Sequence, residues 1–350
     1  MEIYSVKING LKNPMGYLYD TLLCSWKVRE ATGKKQKNAV IKVATDANLQ
    51  QIVYEIENPK LDSLGTKLDM KLEPYTRYYY QVSVTTDVNE TATSEICWFE
   101  TAKLEEPWSA SWIGITENDS IHPEFRKLFN VSNKVKQARL YICGLGLFEA
   151  YVNGKKVGND VLAPFINDYA EHIQYCTYDV TDMLSEENEL LVWLGKGWYM
   201  GRFGLTDAAY GKDEYALIAE LHLVYEDGRK EVIGTDTSWK YRGNIVRDSS
   251  IYDGEEQDYL YWEDKENPWR SARRMEAPAK LVERYSPGLF EMETLPVKEV
   301  IHTPAGETVL DFGQNFAGMF ECTQSIPKGE KMKLEFAEIL QNGNFYHENY

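Results

Sequence analysis

Long apolar runs are missing from this 350-residue chain. No stretch approaches the ~20 residues that span a bilayer, which argues against a membrane helix. The N-terminus, MEIYSVKINGLKN, lacks a basic segment followed by an apolar one, so no secretory signal is read there. Positive charge is also scarce. Lys and Arg number 38 against 55 Asp and Glu, a net charge of −17. A surface this acidic repels phosphate backbones and disfavours nucleic acid as a partner. Histidines number five (122, 172, 222, 302, 347), with no HExxH and no clustering, so no zinc site is assigned. No Gly-x-Ser-x-Gly elbow occurs, which excludes the usual serine hydrolase. The five cysteines (24, 97, 143, 176, 322) form no CxxC pair. Each lies in an apolar or strand-like run and is expected to be a reduced core thiol, pointing to the cytoplasm. Sequons at Asn89, Asn118 and Asn130 carry no meaning without a secretory route.

Helical periodicity is equally scarce. The best helical candidate is 181–190, TDMLSEENEL, with Asp182 as cap and Met183 and Leu184 as anchors. Abundant instead are aromatics: 24 Tyr, 12 Phe and 9 Trp. Aromatics favour strands. Period-two stretches recur at 21–28, 38–45, 78–84 and 217–226, bounded by Gly, Asn, Asp or Pro. The fold class expected is all-β, as tandem β-sandwiches.

Three units are read along the chain. Residues 1–103 have Trp26 in an early strand and LEPYTRYYYQVSV at 72–84. That run suggests a tyrosine corner at Tyr75 and a fibronectin type III-like domain. LEEPWSA (104–110) reads as a linker. Residues 108–276 hold many short strands, with hairpin turns at Asn153-Gly154 and Asp227-Gly228, and suggest a jelly-roll-like sandwich. Residues 285–350 read as the start of a further sandwich, truncated, with KMKLEFAEIL (331–340) as a strand. An unpaired edge there is expected to favour a homodimer.

Several passages taken together resemble bacterial α-L-rhamnosidases. They are LGLFEAYVNGKKVGNDVLAPFINDY, TYDVTDML, LGKGWYMGRFG, IYDGEEQDY, and LDFGQNFAGMFE followed by EILQNGNFYHENY. Their order matches the family across about residues 108–350, behind an accessory module. The resemblance implies a parent enzyme that removes terminal α-L-rhamnose from glycosides with inversion. It places the catalytic acids on an (α/α)6 barrel following the β-domains. No repeated helix-pair pattern occurs here, so no catalytic residue is assigned. The chain is expected to be an accessory fragment, inactive alone, partnered by the missing barrel. Two alternatives remain open: a carbohydrate-binding module with its own rhamnose affinity, and a fibronectin-type interaction protein.

Candidate sites are few. Asp253, Glu255, Glu256 and Asp258 are the densest carboxylates, and a solvated surface is their plainer reading. GKGWYMGRFG (195–204) fails the dinucleotide fingerprint, because Met200 stands where a third glycine is needed. Its glycines read as turn formers. Trp198 and Tyr199 beside Arg202 offer a flat face and a guanidinium suited to a sugar. In the plainer reading Trp198 plugs a sandwich edge and Arg202 pairs with a carboxylate. Asn159, Asp160, Asn167, Asp168 and Tyr169 form an oxygen-rich patch. Some family relatives carry a calcium-dependent rhamnose-binding module, so the resemblance alone implies Ca²⁺ at Asn159 and Asp160. Turn-capping side chains are the plainer reading, and otherwise no cofactor is expected.

Overall fold

The computed structural model describes residues 1–116, 121–202, 214–261, 267–276 and 279–348. The protein is all-β, built from tandem sandwiches. The predicted stretches at 21–28, 38–45, 78–84 and 217–226 form strands β2 (Leu23–Arg29), β3 (Gln36–Ala44), β6 (Arg77–Thr86) and β17 (Ala216–Tyr225).

In the first sandwich, β1 (Glu2–Ile8), β2 and β5 (Thr66–Lys67) face a second sheet. That sheet contains β4 (Ile52–Asn58), β3, β6, β7 (Thr91–Thr93) and β8 (Cys97–Glu100). Strand β6 shows why. Its alternate residues Tyr78, Tyr80, Val82 and Val84 are buried while their neighbours are partly exposed. A two-residue period has one apolar face to hide. Those residues pack on Cys24, Trp26, Ile41 and Phe99. The tyrosine corner is present but belongs to Tyr78, not Tyr75. The Glu73 N–H donates to the Tyr78 hydroxyl at 2.8 Å, joining the strand to the chain upstream. The Tyr75 hydroxyl instead accepts from Lys103 Nζ at 3.2 Å.

In the second sandwich a six-stranded sheet runs in the order β13 (Lys155–Lys156), β12 (Leu147–Val152), β16 (Glu187–Gly195), β10 (Pro123–Asn130), β19 (Lys240–Gly243), β22 (Arg270–Ser271). The facing sheet contains β23 (Arg273–Arg274), β9 (Ile113–Gly114), β17, β11 (Val135–Leu145), β15 (His172–Asp179) and β24 (Lys280–Glu283). Strand β18 (Lys230–Gly234) pairs with β17. Phe125, Leu140, Ile142, Val192 and Leu221 meet between the sheets. Both predicted hairpins form. Asn153 (φ 51°) and Gly154 (φ 75°) take the left-handed conformations of a two-residue turn. The predicted helix at 181–190 does not form. Residues Thr181–Met183 make one 3₁₀ turn and β16 begins at Glu187. Asp182 is no cap. The Asp179 carboxylate accepts the Thr181 N–H at 3.1 Å. The alternation Asn188, Leu190, Val192, Leu194 fits a strand half-buried in the core.

Strand β11 is buried on both faces from Ala138 to Leu145. Its second face, with Tyr141, Cys143, Tyr175 and Ile218, is covered from the first sandwich and the connecting segment. The two sandwiches form one compact unit through Leu289. Their junction is polar and buried. Glu100, 1% exposed, accepts from Arg77 and Arg139. Lys103, also 1% exposed, meets Glu220 at 2.5 Å. Gly16 (φ 69°) approaches so closely that a Cβ would lie 2.3 Å from that of Thr177. The segment read as a linker is pinned, since the Ser109 and Ala110 N–H groups donate to Glu220.

The second compact unit begins at Phe290. Hairpins Glu299–His302 with Thr308–Asp311 and Ile339–Gln341 with Asn344–Tyr346 are tied by Glu307, which accepts from the Thr303 hydroxyl and the Phe345 N–H. The strand predicted at 331–340 is present only as Ile339–Leu340, because residues 312–338 pair with no described strand. Cys322 lies in this stretch and is exposed. It is therefore not the core thiol expected, whereas Cys24, Cys97, Cys143 and Cys176 are buried and unpaired.

Candidate functional site

A single helical turn, Gly197–Met200, follows β16 and sets the candidate residues around it. Gly197 (φ 53°) and Gly146 (φ 100°) let the chain cross here, and a Cβ on Gly146 would meet the Gly195 carbonyl at 2.0 Å. Turn formation is thus the role of these glycines.

The turn sends its side chains in different directions. Tyr199 is buried and packs edge-on against buried Tyr169, ring centroids 5.0 Å apart. These two candidates do come together, but as core. Trp198 is half-buried with its ring 5.9 Å from Phe165. Arg202 reaches the opposite hairpin, β20 (Val246–Ser250) with β21 (Gly254–Gln257). Its guanidinium grips Asp253 through two oxygens, each at 2.8 Å, and lies 4.9 Å from the Tyr252 ring. Arg202 and the Ser250 hydroxyl hold the Asp253 carboxyl down at about 2.

A cleft of about 380 Å³ opens there, lined by Lys196, Arg202, Asp248, Asp253, Glu255 and Glu256 among others. It offers fixed charges of both signs, suited to hydroxyl groups. Asp253 is unsuited to proton donation, because the guanidinium keeps it ionised. Asp258 stands apart and accepts the Leu260 N–H at 2.9 Å as a turn cap. Phe203, Gly204 and Trp262 lie outside the described residues, as does Asn118.

The polar groups of the oxygen-rich patch are taken up by bonds within the protein. Asp160 is buried and bonded to Arg284, whose carbonyl accepts the Leu18 N–H from the first sandwich at 2.8 Å. Asp160 therefore serves the junction, while Asn159 is exposed. Asn167 Oδ1 accepts the Gln174 N–H at 3.0 Å, and Asp168 accepts that of Ala170 at 3.3 Å. Asp168 thus caps a turn, while Asn167 ties its loop to strand β15. Among the described residues no three His, Cys, Asp or Glu gather as a metal site.

Behind the cleft lies His122, which the sequence reading passed over. It is buried, and its Nε2 is 2.8 Å from the Ser249 hydroxyl. Burial, with Lys196 nearby, pushes its pKa down to about 4. The pair is 127 residues apart in sequence, so no local pattern could have joined them.

Comparison with known proteins shows what the domains are similar to. Residues 3–105 match the Rha78A-like, N-terminal immunoglobulin domain. Residues 133–293 match the α-L-rhamnosidase N-terminal domain, and 301–350 the bacterial α-L-rhamnosidase concanavalin-like domain. For the first sandwich the established description is thus immunoglobulin-like. An α-L-rhamnosidase of Alteromonas sp. (strain LOR) is 29% identical over 99% of this chain and 41% of that protein. One from Streptomyces avermitilis is 31% identical over 71% of this chain and 25% of its own length. The solved α-L-rhamnosidase of Dictyoglumus thermophilum superposes with a TM-score of 0.76 at 28% identity, covering 90% of this chain and 39% of that one. The chain spans about two fifths of the length of the first of these relatives. In its succession of domains the chain is similar to the N-terminal β-region of α-L-rhamnosidases.

Proposed function

We propose that this chain serves as the accessory β-region of an enzyme that hydrolyses terminal α-L-rhamnose from glycosides with inversion. The observation that carries the reading is the ordered run of three rhamnosidase domain matches along the chain. In this role the sandwiches are scaffold and substrate wall. Inverting hydrolysis needs one protonated carboxyl and one carboxylate, ~6.5–9.5 Å apart around a water. The exposed cluster around Asp253 is a poor source of such a pair, since Asp253 is held ionised by Arg202. In this reading the chain by itself is inactive. Four buried unpaired thiols support a reducing, cytoplasmic setting. Incubation of this chain with p-nitrophenyl α-L-rhamnoside, beside a full-length enzyme bearing it, tests the reading. Release of nitrophenol by the enzyme and none by the chain is expected. Turnover by the chain, lost in Glu255→Gln or Glu256→Gln, would overturn it.

A second reading is a module with its own rhamnose affinity. The cleft at Arg202 favours it over a fibronectin-type interaction protein, which leaves the domain matches unexplained. A calcium ion at Asn159 and Asp160 would have to displace Arg284. Calorimetry with L-rhamnose, with and without Ca²⁺, decides both points, and absence of heat removes this reading.

A further inference from the structure

The six-stranded sheet has an outer face turned away from the sandwich core. Leu190, Val192 and Leu194 of β16, Phe125 of β10 and Tyr241 of β19 point inward and are buried. Alternation then sends Trp193, Glu124 and Arg242 outward. Register sets them side by side. Glu149 pairs with Trp193, Trp193 with Glu124, and Glu124 with Arg242, a single row across four strands. The adjacent row runs Tyr151, Leu191, Arg126. A cavity of about 380 Å³ opens over part of these rows, lined by Glu124, Arg126, Glu189, Leu191, Arg242 and Trp269.

Its polar groups are held in place. Glu124 is 1% exposed although it faces outward. Trp193 Nε1–H donates to one of its oxygens at 2.9 Å, and the Arg242 Nε–H donates to the other. Burial pushes this carboxyl above its ordinary value, and the bond from Arg242 opposes that rise. Arg126 pairs with Glu189 at 2.7 Å. Both guanidiniums lie on the Trp269 ring, at 5.0 Å for Arg126 and 4.6 Å for Arg242. Tyr151 meets Trp193 with ring centroids 5.7 Å apart.

We infer that this cavity is a binding site for a neutral sugar ring, separate from the cleft at Arg202. Three features point to that chemistry. The partly exposed Trp269 ring offers flat apolar surface to the C–H face of a sugar. The Arg126–Glu189 pair, with Arg242 beside it, offers donors and an acceptor together, matched to vicinal hydroxyls. The charges cancel as Glu124 with Arg242 and Glu189 with Arg126, so no surplus positive charge attracts an anion. The chain's own −17 adds repulsion. A peptide strand has no edge to join here, because β10 and β16 are each paired on both sides. The inference goes beyond the proposed function and does not depend on it, since it concerns a different face of the same sandwich.

The experiment is NMR of the ¹⁵N-labelled full chain titrated with L-rhamnose, D-glucose, D-galactose and D-glucuronate, with calorimetry in parallel. The expected result is saturable millimolar binding of at least one neutral sugar. It moves the indole N–H resonance of Trp193, assigned by its loss in Trp193→Phe. Trp269→Ala weakens that binding about tenfold or more, and Arg202→Ala leaves it unchanged. No saturable shift at Trp193 with any neutral sugar overturns the proposal. So does binding of D-glucuronate alone, or binding lost in Arg202→Ala and kept in Trp269→Ala. The titration of the unaltered chain decides the matter even where a variant does not fold.

Discussion

His122 sits where a neutral ring is favoured. Burial and the neighbouring Lys196 lower its affinity for a proton, Asp248 opposes this, and Arg247 adds to it. Its ring also faces Tyr215 at 5.7 Å. In the unfolded chain the same ring titrates near 6.5, and in the fold near 4. The unfolded chain therefore holds more protons between these values. The stabilisation is complete above pH 6.5 and is lost as pH falls toward 4, by up to roughly 3 kcal/mol. Urea unfolding of the chain and of His122→Gln across that window checks this. The variant should lose stability more gently on acidification, and equal slopes would show that His122 is not the group responsible. Glu220 acts in the same direction at lower pH. Burial alone would raise its pKa, but bonds from His222, Lys103, Ala110 and Ser109 outweigh that and hold it well below the usual range. Its contribution is present above the unfolded carboxyl value and fades below it.

Strand β17 carries Glu220 into the junction, and this is where an element reads differently from its composition. LIAELHLVYE alternates well enough to be a strand, yet its charged residue faces inward to meet Lys103 from the other sandwich. Lys103 also lies 4.8 Å from the Trp108 ring. A buried pair of this kind adds little net stability, but removing one partner strands the other. Lys103→Met should cost about 3 kcal/mol. Lys103→Met with Glu220→Gln should recover at least about 1 kcal/mol of that loss. Chemical denaturation of the two single variants and the double variant gives the cycle. A double variant as unstable as the sum of its parts would mean the two side chains act independently.

On the scale of the whole molecule, the unit from Phe290 onward differs from the first in how little it buries. Met292 is 89% exposed, Met319 60% and Phe336 59%. Exposed apolar side chains grouped in one small unit favour association. Sedimentation of the chain over a range of concentrations should show self-association that Phe336→Ser with Met319→Ser weakens. A chain that stays monomeric at high concentration would refute this.

The strands, the two hairpin turns and the tandem β-sandwich class were legible in the sequence, because period-two alternation and Asn-Gly or Asp-Gly turns act over a few residues. The same local rule explains the errors. Tyr75 and Tyr78 stand three apart in one aromatic run, and only the path of the chain decides which hydroxyl reaches the Glu73 N–H. Leu-Ser-Glu-Glu-Asn reads as helix until β16 claims its last two residues for the sheet. Asp160 resembles a cation ligand until Arg284, 124 residues away, is seen to hold it. The sequence alone determined an acidic, aromatic-rich, all-β chain and its likeness to one enzyme family. Tertiary structure decided which charges meet, at the junction, at the Arg202 cleft and across the outer sheet. Those meetings join residues 23 to 124 positions apart, and close pairing of that range depends on how sheets stack rather than on any neighbouring residue.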